Sequence, residues 1–378
     1  MPVKRVELES NGATLVDAAC SANISSLSDV ANAVKCTTIT LNGFTVPAGK
    51  TLSLPLVNGT TVTMDGDISF GNVSWAGPLF NISGTYITFN GNGHKFDGGG
   101  PFYWDGQGIV NGGVMKPHPM MRIQMSGTFT NVHIVNSPAS TYAVSNPAAL
   151  TMSNLVIDNS QGDVPNSRSY GLAAGHNTDG FDVSGHDVTI ENCRIHNQVS
   201  FSPFEISEAS YQLQDDCLAV NRGTNIVFKG NSCTNGHGIS IGSISSNAHV
   251  SGVIISGNII TNSDQALRIK TKSVAKGSTV TGITYIGNTA IGMRRFGVLV
   301  DQSYPEILGT PGTGVVISAV NFKAPATLII VNNVADNVAV NCGAGSCIGP
   351  WDWSNLKVFG GLPGSINNCS IISGFGLC

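Results

Sequence analysis

The sequence predicts an all-β protein, a right-handed parallel β-helix, and three observations carry that prediction. Short runs rich in Val, Ile and Thr recur from Thr37 onward, among them 37–41, 61–64 and 85–89, separated by Gly, Asn and Asp. Units marked by Asn repeat through the middle: 153–157, 191–195, 230–233, 257–260 and 287–290. Asn231, Asn258 and Asn288 in the last three are 27 and 30 residues apart, and a period of roughly 20 to 50 residues marks a solenoid or array. No helical pattern separates these runs. Near-continuous Val/Ile stretches suit a parallel sheet covered on both faces.

Taken in order, residues 1–19 read as a leader or propeptide-like segment. The start, Met1-Pro2-Val3-Lys4-Arg5-Val6, has no apolar h-region, so no signal peptide is visible; either the chain begins after one or its start is misassigned. Residues 20–378 are expected to form a single β-helix domain. Its one helix candidate is 26–34, with Ser26 or Ser28 as N-cap and Asp29 in the first turn, placed to cap the open end of the stack. In the repeat, buried Asn side chains can ladder from coil to coil. One interval breaks the rhythm: Asn192 and Asn231 are 39 residues apart, and the segment 199–214 between them has two Glu, three aromatics and neither Gly nor Asn. Without those 16 residues the spacing is 23, back in the range of one coil. From about Val315 the apolar alternation and the Trp351-Asp352-Trp353 segment suggest final coils and a cap.

Composition narrows the class. At 378 residues the chain can bury a large core. Charged residues are 11%, roughly half the usual share, while 41% is hydrophobic and net charge is −4, which excludes a disordered chain. No basic run suggests a nucleic-acid partner, and no apolar run reaches the ~18 residues of a membrane span. The nine cysteines fall into near neighbours, Cys20/Cys36, Cys217/Cys233, Cys342/Cys347 and Cys369/Cys378, leaving Cys193 over. Four short-range disulfides and one buried thiol are expected, nine reduced thiols being the alternative. Sequons at Asn23, Asn58, Asn72, Asn81 and Asn368 are compatible with a secreted, extracellular glycoprotein. A monomer is expected.

The chemistry centres on 177–182, Asn-Thr-Asp-Gly-Phe-Asp, where Asp179 and Asp182 lie three residues apart. Alone, Asp-Gly is turn chemistry. Downstream, however, come Asp215-Asp216-Cys217, Gly236-His237-Gly238 and Arg268-Ile269-Lys270, each attached to a strand-like run at the same phase. That recurrence places acids, an imidazole and two cations in one line on one face of the repeat. Arg268 and Lys270, two apart, point the same way on a strand. The plainer readings are a packed core imidazole for His237 and a solvated doublet for the cations.

These four motifs, Asn-Thr-Asp-Gly-Phe-Asp, Gln-Asp-Asp-Cys, Gly-His-Gly-Ile-Ser-Ile-Gly-Ser and Arg-Ile-Lys, occur in an order that resembles the polygalacturonases of glycoside hydrolase family 28, particularly fungal endo-acting ones. The likeness runs from about Cys20 to the end and takes in 42–47 and 104–106. It implies a pectin-lyase-like solenoid that hydrolyses α-1,4 links between galacturonates in de-esterified pectin, with no metal and no cofactor. By resemblance, Asp215 is the general acid, while Asp179 and Asp216 hold and deprotonate the water in a single inverting displacement. The family's acids pack closely, so their spacing does not predict stereochemistry. His237 tunes the acid. Arg268 and Lys270 bind the sugar carboxylate by charge-assisted hydrogen bonds, and Asn177 also contacts substrate. Asp182 is expected to be structural. Clustered carboxylates repel, so at least one should be held protonated, giving an acidic optimum.

Two departures qualify the resemblance. Where the family's Tyr-Gly-Val segment supplies a substrate-binding Tyr, this chain has Phe296-Gly297-Val298; losing that hydroxyl would cost on the order of 1–3 kcal/mol. The segment 199–214 directly precedes the acid pair. It is either a translated intron, since Val codons begin GT and a Gln codon can end AG, or a loop at a coil corner. A transcript read from Gln198 to Asp215 decides. Two other functions stay open: a pectate lyase with Ca²⁺ on its Asp cluster, and a pectin-binding solenoid impaired by 199–214 and Phe296.

Overall fold

Short β-branched runs, ended by Gly or Asn corners, stack directly over one another in the computed structural model, which describes residues 20–109, 113–197 and 215–376. The leader 1–19, the segment 199–214 and Cys378 lie outside the described residues. The strands form a 19-stranded and an 11-stranded sheet, every pairing between them parallel, wound as a right-handed β-helix. The coil that begins beside the acid pair shows the winding. Leu218–Lys229 pairs through Leu218–Val220 with Ile239–Ile241 and through Gly223–Lys229 with Val250–Ser256. The large sheet therefore bends around the interior, and Ser232–Thr234 closes the coil on the small sheet.

Side chains that alternate inward fill the solenoid. Phe89 stacks on Phe129, and Tyr142 stacks on Phe181, so aromatic rings run from coil to coil. Each fully buried ring of this size contributes about 1.5–3 kcal/mol.

The Asn repeat splits into two chemistries, one residue out of step with the expected alignment. Strand register aligns Asn154 and Asn192 with Gly230, one position before the ladder. Asn154, Asn192, Gly230, Gly257 and Gly287 all take positive φ, the corner conformation that Asn and Gly tolerate. The residues that follow form the ladder. Asn231 Nδ2 donates to Asn258 Oδ1 at 3.2 Å, and Asn258 Nδ2 to Asn288 Oδ1 at 2.9 Å. Cys193 occupies the next rung, its N–H donating to Asn231 Oδ1 at 2.8 Å. The apolar thiol ends the ladder.

The predicted helix spans Leu27–Ala33, with Ser26 at the N-cap. The hydroxyl does not bond the helix backbone. Instead Asp29 Oδ2 reaches back to accept the Ser25 N–H and the Ser26 hydroxyl, each at 2.9 Å. Leu27, Val30 and Val34 pack on the core and cover this end of the stack. A second helical turn, Gly100–Tyr103, begins with Pro101 and was not foreseen. At the other end Trp351 and Trp353 are buried, Trp353 edge-on to Phe322 and Phe375. Cys20–Cys36, Cys217–Cys233 and Cys342–Cys347 are disulfides, and Cys193 is a buried thiol. Cys369 is also disulfide-bonded. Among the described residues no helix is long and apolar enough to cross a membrane.

Candidate active site

Register alone builds the floor of the site. Asp182, Ala219, Ser240, Arg268, Leu299 and Ala339 are successive partners across five strand pairings, so they project from one face of the large sheet. Asp179 and Asp216 stand on neighbouring coils where the chain enters two of these strands, and the Gly180 N–H donates to the Asp216 carbonyl at 2.8 Å. Lys270 lies two residues beyond Arg268 on the same face, as its spacing requires. The turn that carries His237 depends on its glycines. A Cβ at Gly236 would lie 2.2 Å from the Asp215 carbonyl oxygen, and one at Gly238 would lie 2.1 Å from that of Gln265. Only bare backbone fits between these coils.

Asp216 is fully buried and engaged through both carboxylate oxygens. Its Oδ1 accepts Arg268 Nη2 at 2.6 Å and the Ser240 hydroxyl at 2.7 Å, and its Oδ2 accepts Lys270 Nζ at 2.7 Å. Arg268 Nε in turn donates to the Ser240 oxygen at 2.9 Å. Burial would push this carboxyl up, but the two cations outweigh it and hold Asp216 down at about 2. Arg268 and Lys270 are therefore not a solvated doublet. They are buried and bound to an enzyme carboxylate.

Asp215, one residue earlier and equally buried, meets no cation among the described residues. Its Oδ1 accepts the Thr178 N–H at 2.5 Å. Burial dominates, assisted by the negative Asp216, and raises Asp215 to about 7. Its own N–H donates to His237 Nδ1 at 2.9 Å. Asn197 Nδ2 donates to the Asp215 carbonyl at 2.8 Å, so residues on either side of the segment 198–214 touch.

Asp179 is half-buried, with its Oδ1 buried and unpartnered among the described residues. Burial first, then the charges of Asp182, Asp216 and Asp215, raise it well above the usual carboxylate range. Asp182 was expected to be structural, yet it faces the same side of the sheet as Arg268, and burial lifts it to about 6. The cluster thus has four carboxyls, not three. Asn177 lies beside it with positive φ, its Oδ1 accepting the Ile109 N–H at 3.0 Å.

Phe296, expected to bind substrate, packs beside residues that share the sheet face of Arg268. It is buried against Leu299 and Ala339, with the Arg295 guanidinium 5.8 Å from its centre. The aromatic ring beside the cations is Tyr304, whose centroid lies 5.4 Å from Lys270 Nζ. Sequence reasoning also missed Ser240, Asp264 and Arg294. Asp264 was recoverable, because it immediately precedes the strand Gln265–Lys272 that carries Arg268 and Lys270. Arg294 gave no such signal. His237 Nε2 lies 3.3 Å from Asp264 Oδ2, and Arg294 Nη2 is 2.6 Å from Asp264 Oδ1. Among the described residues no group of three or more His, Cys, Asp or Glu is arranged to hold a metal ion.

Residues 36–376 match the model of glycosyl hydrolases family 28. The chain is 38% identical over 367 residues to a polygalacturonase of Cochliobolus carbonum, covering 94% of this chain and 90% of that protein. It is 39% identical over 369 residues to a polygalacturonase of Penicillium griseoroseum, covering 93% and 89%. Among solved structures, endopolygalacturonase I of Stereum purpureum, complexed with two galacturonates, superposes with a TM-score of 0.83 at 46% identity, covering 91% of this chain and 96% of that one.

Proposed function

The chain belongs to glycosyl hydrolases family 28, and we propose that it is an endo-acting polygalacturonase, cutting α-1,4 links between galacturonates in de-esterified pectin by one inverting displacement. The observation that carries this reading is the opposite ionisation of two adjacent, equally buried carboxyls. Glycoside hydrolysis needs a proton donor for the leaving oxygen and a base for the attacking water. Asp215, raised to about 7, retains its proton at mildly acidic pH and serves as donor. Asp216, held at about 2, is an anion throughout that range and takes the proton from water. Asp179, its carboxyl raised well above the usual range, offers its unpartnered oxygen to position that water.

Arg268 and Lys270 then have two tasks. They hold Asp216 ionised, and their donor sets, five N–H on a guanidinium and three on an ammonium, exceed what one carboxylate uses. A galacturonate carboxylate can join the same cations, which brings an anionic substrate up to an acidic cluster. Asn177, beside the acids, contacts the sugar. A lyase would instead need the Asp cluster to coordinate Ca²⁺, and both oxygens of Asp216 already accept cationic donors. Residues 20–378 act as one β-helix catalytic domain, a monomer working outside the cell on pectin, and the three disulfides of the described residues support that setting.

The test is release of reducing ends from polygalacturonate, without added metal, by the chain as written and by one lacking 199–214. Contact between Asn197 and Asp215 supports closure of the shortened chain. Activity in both makes the segment a tolerated loop. Activity only in the shortened chain marks the segment as foreign to the working enzyme. Pectin binding without new ends, in two folded proteins, favours the binding solenoid, and an unsaturated, ultraviolet-absorbing product favours the lyase. Viscosity falling well ahead of end release identifies endo action.

A further inference from the structure

We infer that Asp264, pinned by Arg294, is a positioning residue that locks the His237 ring in the one tautomer able to carry Asp215. This rests on the reading of Asp215 as proton donor, but it starts from a donor count. The Asp215 N–H points at His237 Nδ1 from 2.9 Å. A backbone amide can only donate, so Nδ1 must be bare and accept. In a neutral imidazole the proton then sits on Nε2, which faces Asp264 Oδ2 at 3.3 Å. The carboxylate receives that proton and makes the other tautomer costly, since Nδ1–H would face a second N–H and leave Nε2 opposite an anion.

Arg294 fixes the carboxylate in turn. Its Nε and Nη2 hold Asp264 Oδ1 at 2.8 and 2.6 Å. The same guanidinium donates to the Gly236 carbonyl at 3.3 Å and to that of Asn262. It therefore ties the turn bearing His237 to the turn bearing Asp264, and the Asp264 N–H reinforces the tie at Gly236 O, 2.9 Å. The chain of contacts runs Arg294, Asp264, His237, Asp215 N–H. None of the first three needs to touch the reacting atoms.

The arrangement also demands a neutral ring, because an imidazolium carries protons on both nitrogens. Burial opposes protonation of His237, as does Arg268, while Asp264 and Asp216 favour it, and His176 is a further titratable neighbour. Arg294 compensates the Asp264 charge. Without it, the carboxylate would face the imidazole alone and draw a second proton onto the ring as pH falls.

The experiment uses the full chain with ¹⁵N-labelled histidine, His237 being assigned by its absence in His237→Gln. At mildly acidic pH the wild-type spectrum should show His237 protonated on Nε2 only. Asp264→Ala should populate both tautomers and lower kcat about 10- to 100-fold, less than the roughly 10²–10⁴ that a proton donor supplies outright, with KM within about twofold. Asp264→Asn keeps an oxygen for Nε2–H and should recover most of that loss. Arg294→Gln should leave the tautomer unchanged near neutrality and move the acidic limb of kcat to higher pH. Wild-type His237 protonated on Nδ1 overturns the inference, as does Asp264→Ala with tautomer and kcat unchanged. Should Asp264→Ala fail to fold, the wild-type spectrum and Asp264→Asn still decide. Should the wild type not cleave polygalacturonate, the tautomer measurement stands and the hydrolase reading falls alone.

Discussion

Asp215 and Asp216 share a peptide bond and the same near-total burial, yet the regions they enter are electrostatic opposites. The Asp215 carboxyl turns toward backbone N–H, with the imidazole on its own backbone amide, and the Asp216 carboxyl toward a guanidinium, an ammonium and a hydroxyl. Desolvation acts upward on both. Only Asp216 meets enough positive charge to reverse it. Neither position in the chain nor burial therefore determines which carboxyl is acid and which is base. The neighbouring coils do, through cations 52 and 54 residues downstream.

Neutralising each side in turn is the strongest way to break this comparison. Asp215→Asn and Asp216→Asn should each lower kcat at least about 10³-fold, since proton transfer contributes roughly 10²–10⁴. Their stabilities should diverge. Asp216→Asn strands two buried cations, a change that costs about 3–5 kcal/mol, whereas Asp215→Asn removes no ion pair and should stay within about 1 kcal/mol. Urea denaturation of both variants reads the difference, and equal losses would show that the two pockets are not electrostatically distinct.

A smaller effect sharpens the assignment by pH. With Asp215 raised to about 7, its proton is present below that pH and lost above it, so kcat/KM for the free enzyme should fall through an alkaline limb near 7. The anion at Asp216 persists down to about 2, so the base sets no limit in the mildly acidic range. Arg268→Gln removes one of the cations depressing Asp216. Its acidic limb should therefore move to higher pH while the alkaline limb stays; a shift confined to the alkaline limb would reverse the acid and base roles. Smallest is Phe296→Tyr. The ring is already buried against Leu299 and Ala339, so kcat/KM should change less than about threefold. A gain of tenfold would mean that the missing hydroxyl does reach substrate.

Much of this was legible before any coordinates. Asp179, Asp215, Asp216, His237, Arg268 and Lys270 stand out because each opens or lines a strand-like run at one phase, and a parallel stack must then align them. The role expected of Phe296 came from likeness to a short motif, which carries no information on which ring ends beside Lys270; strand packing puts Tyr304 there. The Asn repeat slipped by one residue because Asn serves two purposes at a coil corner, tolerating positive φ at one position and bridging coils at the next. Register separates them, and it depends on pairing between residues some 27 to 39 apart.

The sequence by itself determined the solenoid, the order of its coils and the set of charged groups on one face. Those follow from periodicity, which is local and repeated. Only the tertiary structure decided that Asp182 joins the cluster, that Arg268 and Lys270 are bound to Asp216, and that Asp264 and Arg294 stand behind His237. Those are facts of distance between coils, where a shift of about 1 Å changes a hydrogen bond into none, and no single segment of the chain encodes such a distance.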